Sequence, residues 1–511
     1  MASSRIDDVF ATAAREVPEH THLIFEDGSA ATYAQTYSRA AALAGAFVGA
    51  GIAPGDRVAG FMRNSREVIE FFVACGIANV IGVALNAMST RRELAAIFAD
   101  CTPTGIVVES GFVDRVPEFA GMCLRIATKT DTPPPGWVGY DALIDAATPA
   151  KPHAAASGED AAMMIYSSGT TGAPKGILLS HSALVENARM TLSVIATTAQ
   201  DRYMTVLPLF SSFGFSFDFV QVGLLRASVV VMQQFEENQA VGLIARHRVT
   251  FMAAVPTMLA RMFDPGVIGD LDLSCVQLID VGGGPVAPRL KSMLAGDFGI
   301  DVVESYGLTE ISPVASVQAP GDASALGSCG APLPGIEARV MGLDGALATA
   351  GEPGELQFRA KTLMRGYWNQ PELSAATLKD GWLRSGDVGQ IDAQGNIHIL
   401  DRTKDMIVAN GFNVYPKEVE NVIAELDAVQ SVAVVGVADD IQGERIHGFV
   451  VLKPGAQLSE QQVFERCVTG LSSYKRPKKV HFIDEMPLTG SGKIRRLELR
   501  EMLTQNKKEN L

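Results

Sequence analysis

The stretch YSSGTTGAPKG, residues 166–176, places Ser167, Ser168, Thr170, Thr171, three glycines and Lys175 within eleven positions. Surface loops are commonly rich in such residues. A second reading is a loop whose hydroxyls and amides wrap a polyphosphate, with Lys175 adding charge. AAMMIY, a short apolar run at 161–166, leads into it. A buried strand feeding a glycine-rich loop is the usual setting for phosphate binding.

The flanking sequence alternates. Thr32 to Gln35 fits a capping box, and an alanine-rich helical stretch follows to about Val48. GDRVAGFM then predicts a strand. Ser65 opens a second helix, with Val68, Ile69, Phe72 and Val73 at helical spacing, and VIGVALN predicts another strand. Further short apolar runs are ASVVVM, TFMAAV, VQLIDV and IDVVES, each followed by a turn or a helical stretch. Helix and strand in turn predict an α/β fold: a large N-terminal part with mixed or parallel sheets flanked by helices. Runs near 432–439 and 447–453 predict strands of a small α+β C-terminal domain.

The 511 residues exceed one hydrophobic core, which implies two or three domains. Net charge is −14, opposite to the balance that gripping a nucleic-acid backbone calls for. No apolar run is long enough to span a membrane. MASSRIDDVF sets two aspartates where a signal peptide needs its apolar run, and six scattered cysteines lack metal or disulfide spacing. A cytoplasmic protein is expected. The segment 474–500 runs against the charge trend, with Lys475, Arg476, Lys478, Lys479, Lys493, Arg495, Arg496 and Arg500. It reads either as a solvated face or as a landing place for an anionic small molecule.

Two known phosphate motifs have partial counterparts in the chain. A G-x-x-x-x-G-K-[ST] loop starting at Gly169 fails at Pro174 and Gly176. VQLIDVGGGPVA sets Gly282, Gly284 and Ala287 in G-x-G-x-x-A spacing after a strand, with Asp301 and Glu304 about twenty residues on. Pro285 and Pro288 occupy the turn and the incipient helix and weaken a dinucleotide reading.

The set of motifs decides. Downstream of the quoted loop stand ESYGLTE (304–310), SGD (385–387), DRTKDMIVANGFNVYPKEVE (401–420) and PLTGSGKIRR (487–496). In order and separation these resemble the adenylate-forming superfamily, and most of all the acyl-CoA synthetases. The resemblance covers nearly the whole chain. It implies a large ATP- and acid-binding domain at 1–401 and a small mobile domain at 402–511, hinged at Lys404. It also implies ATP-dependent activation of a carboxylic acid to an acyl-adenylate with release of pyrophosphate. Transfer to coenzyme A then gives a thioester. ATP, Mg²⁺ and coenzyme A are the implied small molecules. Loading onto an acyl carrier protein is the alternative, self-association is compatible with the reading, and neither nucleic acid nor membrane span is expected.

The resemblance also assigns roles. Ser167, Ser168, Gly169, Thr170, Thr171, Gly172 and Lys175 would hold the departing pyrophosphate. Gly282, Gly283 and Gly284 would wall the adenine from the acyl pocket. Tyr306 would stack on adenine beside Gly307, which also borders the acyl pocket. Thr309 and Glu310 would meet the phosphates, with Glu310 helping to hold Mg²⁺, a hard cation suited to oxygen ligands. Asp387 and Arg402 would contact the ribose. Lys493 would bridge the substrate carboxylate and the α-phosphate. Gly411 and Phe412 would flank the pantetheine arm once the small domain has rotated.

Two positions depart from the pattern. In LPLFSSFG, 207–214, Ser211 stands where many relatives have histidine at the acyl pocket, which leaves space. Gly214 stands where amino-acid-activating relatives carry an aspartate, so a free α-amino acid is disfavoured. Phe210, Phe213, Phe215 and Phe217 suggest an apolar or aromatic acid, and core packing accounts for them equally well. A nucleotide-binding pseudoenzyme is countered by the presence of Lys493, Glu310 and Asp387.

Overall fold

The computed structural model describes residues 4–167, 174–284, 286–322, 325, 327–342, 344–402, 405, 407–409, 412–439, 443–488 and 494–509. The chain divides into two compact units. One comprises residues 1–337 and 358–383, the other 338–357 and 384–511. Residues 401 and 402 both fall within the second.

Among the described residues the first unit holds two large sheets. One runs in the order Gly366–Tyr367, Lys175–Ser180, Ala161–Ser167, Ile81–Ala84, Arg57–Phe61, Gly105–Glu109, Leu124–Thr128, Val138–Gly139. It is parallel from Ala161–Ser167 onward, and its first two strands are antiparallel additions. The other orders Ala331–Pro332, Val314–Val317, Asp301–Gly307, Leu278–Val281, Phe251–Ala254, Arg202–Thr205, Ser228–Val231, Thr21–Phe25, Ala30–Thr32. Its middle is parallel, with antiparallel strands at both ends. Parallel strands need crossovers, and the helices supply them. Their four-residue buried runs are apolar on both faces for that reason.

Local chemistry sets the helix starts as the sequence predicts. Thr32 caps Tyr33–Gly49 in a complete capping box with Gln35, and the Ser65 hydroxyl accepts from Val68 N ahead of Arg66–Ala78. These two helices are tied to Tyr140–Ala146 through one buried carboxylate. Glu70 accepts from Arg39 at 2.8 Å and from the Tyr140 hydroxyl at 2.7 Å.

One helical stretch seats the phenylalanine cluster. Ser212–Phe215, a wider π turn over Ser216–Gln221, and Val222–Leu225 follow one another. Phe215 meets Phe72 edge-on at 4.8 Å, Phe219 stacks on Phe10 at 4.7 Å, and Phe217 stacks on Phe251 at 6.1 Å. Phe215 and Phe217 are fully buried, so both are core residues rather than lining for an acid. Each contributes roughly 1.5–3 kcal/mol by leaving water. Phe213 alone of Phe213, Phe215, Phe217 and Phe219 keeps a partly exposed ring.

In the second unit residues 387–391 of the strand Trp382–Ile391 pair antiparallel with Ile397–Arg402, a register that sets Asp387 opposite Arg402. Beyond it lies a sheet ordered Phe412–Val414, Ile407–Ala409, Gly443–Leu452, Val429–Asp439, with Lys479–Phe482 parallel to Gly443–Leu452. Helices Pro416–Ala424 and Glu460–Gly470 contribute Val419, Ile423, Val463 and Cys467 to a core shared with Ile407, Val434 and Val450. The basic run is tied down inside this unit. Lys475 bonds Glu418 at 2.5 Å, Arg496 bonds Glu420 at 2.6 Å, and Arg476 donates to Leu471 O. No described helix is long and apolar enough to cross a membrane.

Candidate active site

The glycine-rich loop is held at its two roots. Ala161–Ser167 and Lys175–Ser180 pair antiparallel, with Tyr166 opposite Gly176 and Ser167 opposite Lys175. Residues Ser168, Gly169, Thr170, Thr171 and Gly172 lie outside the described residues, as do the side chain of Ser167, Lys404, Gly411 and Lys493. Of Arg402 and Phe412 only the strand positions are described.

Beside Lys175 stands a residue that sequence reasoning missed. Tyr367 lies on the short strand Gly366–Tyr367, opposite Ile177. Its hydroxyl donates to Glu310 Oε1 at 2.9 Å, and Lys175 Nζ lies 5.9 Å from its ring centroid. Burial, together with the neighbouring Glu310 carboxylate, raises the phenol's pKa well above its ordinary value. The phenol therefore stays protonated and acts as a donor that fixes Glu310. The structure brings Lys175, Tyr367 and Glu310 into one corner across long stretches of chain. The signal available in the sequence was a tyrosine–tryptophan pair at 367–368 beside a glycine.

Glu310 and Thr309 sit in a single 3₁₀ turn, Thr309–Ile311, directly after the strand Asp301–Gly307. Thr309 Oγ1 is 3.0 Å from Ser212 Oγ, which links this turn to the start of the phenylalanine helix. Tyr306 is half-buried, its ring 5.9 Å from Phe358. Gly307 is packed so closely that a Cβ there would stand 1.9 Å from the Pro313 carbonyl oxygen. Among the described residues no three His, Cys, Asp or Glu side chains converge as a metal cage. The single carboxylate of Glu310 beside the Thr309 hydroxyl suits Mg²⁺, which takes one or two protein carboxylates plus substrate phosphates.

Ser211 is fully engaged within its own turn. Its hydroxyl donates to Pro208 O at 2.8 Å and accepts from Gly214 N at 3.2 Å. Ser211→Ala is expected to lower the free energy of unfolding by about 1 kcal/mol, the usual loss of such a cap, measured by denaturant titration. A Cβ on Gly214 would lie 2.6 Å from Pro208 O, so the tight turn leaves no room for a side chain there.

The glycine segment lies across from Phe213. Gly282 is buried, and a Cβ there would come within 2.9 Å of Phe213 Cζ and 3.1 Å of Ser305 Oγ. Gly283 takes a left-handed φ of 81° and is exposed, as is Gly284. The acidic residues that a dinucleotide site would use are occupied. Glu304 accepts from Val286 N and Lys291, and Asp301 accepts from Gly321 N.

Just before this segment lies Asp280, fully buried on Leu278–Val281. Its Oδ1 accepts from the Ser305 hydroxyl at 2.6 Å, whereas Oδ2 has no partner. Burial pushes its carboxyl up to about 7, with the Ser305 hydrogen bond pulling the other way. On the π turn, Asp218 and Gln221 are also fully buried and none of their side-chain oxygens or nitrogens is paired. In the second unit Asp387 is buried, and its backbone N–H donates to Ser385 Oγ at 3.0 Å.

Comparison with known proteins finds matches over most of the chain. Residues 10–368 match the family model for AMP-binding enzymes, and residues 418–493 match the AMP-binding enzyme C-terminal domain. The chain is 34% identical to an indoleacetate–CoA ligase of Aromatoleum aromaticum, over 92% of this chain and 93% of that one. It is 33% identical to a feruloyl-CoA synthase of an Amycolatopsis species, over 94% and 96% respectively. Among solved structures it resembles the anthranilate CoA ligase AuaEII in complex with anthranoyl-AMP. The TM-score is 0.90 at 26% identity, covering 98% of this chain and 97% of that one.

Proposed function

The chain belongs to the AMP-binding enzyme family, and we propose that it joins a carboxylic acid to coenzyme A in two half-reactions. In the first, the acid's carboxylate attacks the α-phosphorus of ATP. An acyl–phosphate bond forms as the bond to pyrophosphate breaks. In the second, the thiol of coenzyme A attacks the acyl carbon and AMP leaves. The difficulty of the first step is an anion approaching a polyanion, which calls for positive charge and donors held in place beforehand.

The single observation that carries this reading is the corner where Lys175, Tyr367 and Glu310 meet beside the roots of the phosphate loop. Lys175 and the loop residues 167–172 bind the β- and γ-phosphates. Glu310, oriented by Tyr367, would hold Mg²⁺, which when bound neutralises phosphate charge. Tyr306, with Gly283 and Gly284, borders the adenine, and Asp387 with Arg402 the ribose. Lys493 bridges the reacting carboxylate and α-phosphate. Rotation about Lys404 then exchanges Lys493 for the segment at Gly411 and Phe412, beside the pantetheine arm. The six unpaired cysteines suit a reducing, cytoplasmic setting.

An aryl or otherwise apolar acid fits the partly exposed Phe213 ring, and the two relatives are named for an indole acid and a ferulic acid. A panel of alkyl and aryl acids scored by ATP–pyrophosphate exchange, then repeated with coenzyme A and mass detection, tests the proposal. Exchange with no acid would sink it. Exchange followed by transfer only to a carrier-protein thiol would reassign the acceptor. In the same panel Ser211→His is expected to raise the KM of the best acid and shift preference toward smaller acids, by roughly 1–3 kcal/mol. An unchanged ranking would leave Ser211 as a cap alone.

A further inference from the structure

At the roots of the glycine-rich loop the two faces of the sheet do different things. Tyr367 pairs with Ile177, and side chains alternate along a strand, so Lys175, Ile177 and Tyr367 share the face on which Tyr367 meets Glu310. Tyr166 pairs with Gly176 and stands on the opposite face. There it joins Met164, Leu178 and Trp368 in the apolar cluster that includes Phe61 and Phe98.

Asp100 meets that second face from the last turn of the helix Arg91–Cys101. Its Oδ2 accepts from the Tyr166 hydroxyl at 2.5 Å. Its backbone carbonyl accepts from Trp368 Nε1 and from Asn369 Nδ2, each at 3.2 Å. Tyr166 stands just before the loop, and Trp368 directly follows Tyr367. One residue therefore takes hydrogen bonds from both segments that border the corner of Lys175, Tyr367 and Glu310.

Gly176 lies between the two aromatic residues. A Cβ there would come within 3.1 Å of Tyr166 Cζ and 3.2 Å of Trp368 Cβ, and Trp368 N donates to Gly176 O at 2.7 Å. The clasp thus closes tightly on the neighbour of Lys175. Arg57 braces it: its Nε donates to Cys101 O at 2.8 Å, and its guanidinium lies 5.5 Å from the Trp368 ring centroid. Burial, with Cys101 and Asp100 close by, raises the Tyr166 phenol far above its ordinary pKa, so it stays protonated as a donor.

Resting on the acid-activating reading, we infer that Asp100 is a positioning residue for ATP. By fixing Tyr166 and Trp368 on the far face of the sheet, it holds Lys175 and the Tyr367–Glu310 pair at the spacing that the β- and γ-phosphates require. Asp100 acts through its two aromatic partners and touches no phosphate itself. Charge stabilises a polyanion best where it is held in place beforehand, and a small misplacement of the holding groups is costly. Loss of the Tyr166 contact frees one root of the loop and loosens the strand that orients Glu310.

The test compares full-length Asp100→Ala, Tyr166→Phe, their double variant and Asp100→Asn with the wild type. ATP–pyrophosphate exchange with the best acid gives KM for ATP and for the acid, and calorimetric titration gives the Kd of ATP without turnover. In Asp100→Ala and in Tyr166→Phe both constants for ATP are expected to rise roughly tenfold, the scale of one hydrogen bond to a charged group. The KM of the acid stays near wild type. The double variant should match the single ones, because both remove the same contact. Asp100→Asn should recover most of the loss, since its amide oxygen still accepts from Tyr166. Tyr140→Phe is the control: it takes an equivalent hydroxyl from the Glu70 carboxylate among the helices, and should lower stability with the ATP constants unchanged. Unchanged ATP affinity in folded Asp100→Ala and Tyr166→Phe would overturn the inference. So would additive losses in the double variant, or a fall in kcat with both KM values unchanged, which marks a purely structural role. Should Asp100→Ala fail to fold, Tyr166→Phe and Asp100→Asn still decide. Exchange with no acid would overturn the acid-activating reading, and the calorimetric ratios would then decide the role of Asp100 alone.

Discussion

Lys493→Ala is expected to lose acid activation by about 10²–10³-fold while thioester formation from supplied acyl-adenylate stays within a few-fold of wild type. The expectation follows from charge. In the activation step a carboxylate and an α-phosphate approach one another, and a single lysine between them stabilises charge that both share only in the transition state. Removing one preorganised donor from such a place costs about 2.7–4 kcal/mol. An exposed lysine with no such task contributes almost nothing. The adenylate supplied to the second half-reaction already carries the bond that Lys493 is proposed to help form. Pyrophosphate exchange reads the first step, and coenzyme A consumption from synthetic adenylate reads the second. Equal loss in both would show that the residue supports structure or serves both steps, and the assigned division of labour would fall.

Gly307→Ala is expected to be more general in its damage. The new methyl carbon would meet the Pro313 carbonyl at 1.9 Å and backbone atoms of Pro313 and Val314 at about 3 Å. None of these is the end of a flexible side chain, so the strand Asp301–Gly307 and the turn Thr309–Ile311 must move. Overpacking of this kind lowers stability by about 1–3 kcal/mol. Displacing Thr309 and Glu310 by about 1 Å is enough to lower kcat/KM with every acid by roughly 10²-fold. Gly49→Ala is the control, since nothing lies within 4 Å of its added Cβ, and it should change stability by no more than about 0.5 kcal/mol. Full activity in Gly307→Ala would show that the neighbourhood yields, and the close packing at this corner would carry no functional weight.

Much of the fold was legible because its signals are local. The Thr32–Gln35 capping box, the Ser65 cap and the short apolar runs each depend on residues within one turn or one strand, and each appears where expected. The site was legible only through motifs. Glu310 and Lys175 could be named from their own segments, but Tyr367, which binds one and stacks near the other, comes from a third segment with no pattern of its own. Phe215 and Phe217 read equally as lining or as core in the sequence, and they pack as core, because helical periodicity does not distinguish a face against Phe72 from a face against a ligand. Asp280, a carboxylate inside the buried run VQLIDV, went unread because its partner Ser305 lies on another strand. The segment 338–357 joins the second compact unit through long-range pairing that no nearby residue announces.

The two-residue strand Gly366–Tyr367 has a consequence for the birth of the protein. It closes the outer side of Lys175–Ser180, which until then offers unpaired backbone groups to any passing chain. Translation adds roughly 5–20 residues each second. The 187 residues from His181 to Tyr367 (367 − 180) therefore take roughly 10–40 s to emerge. Throughout that interval the nascent N-terminal sheet waits on the ribosome with one flank open beside its phosphate loop. The half-made enzyme is thus most prone to self-association before Tyr367 arrives, and a chaperone acting during synthesis would find its substrate in that window.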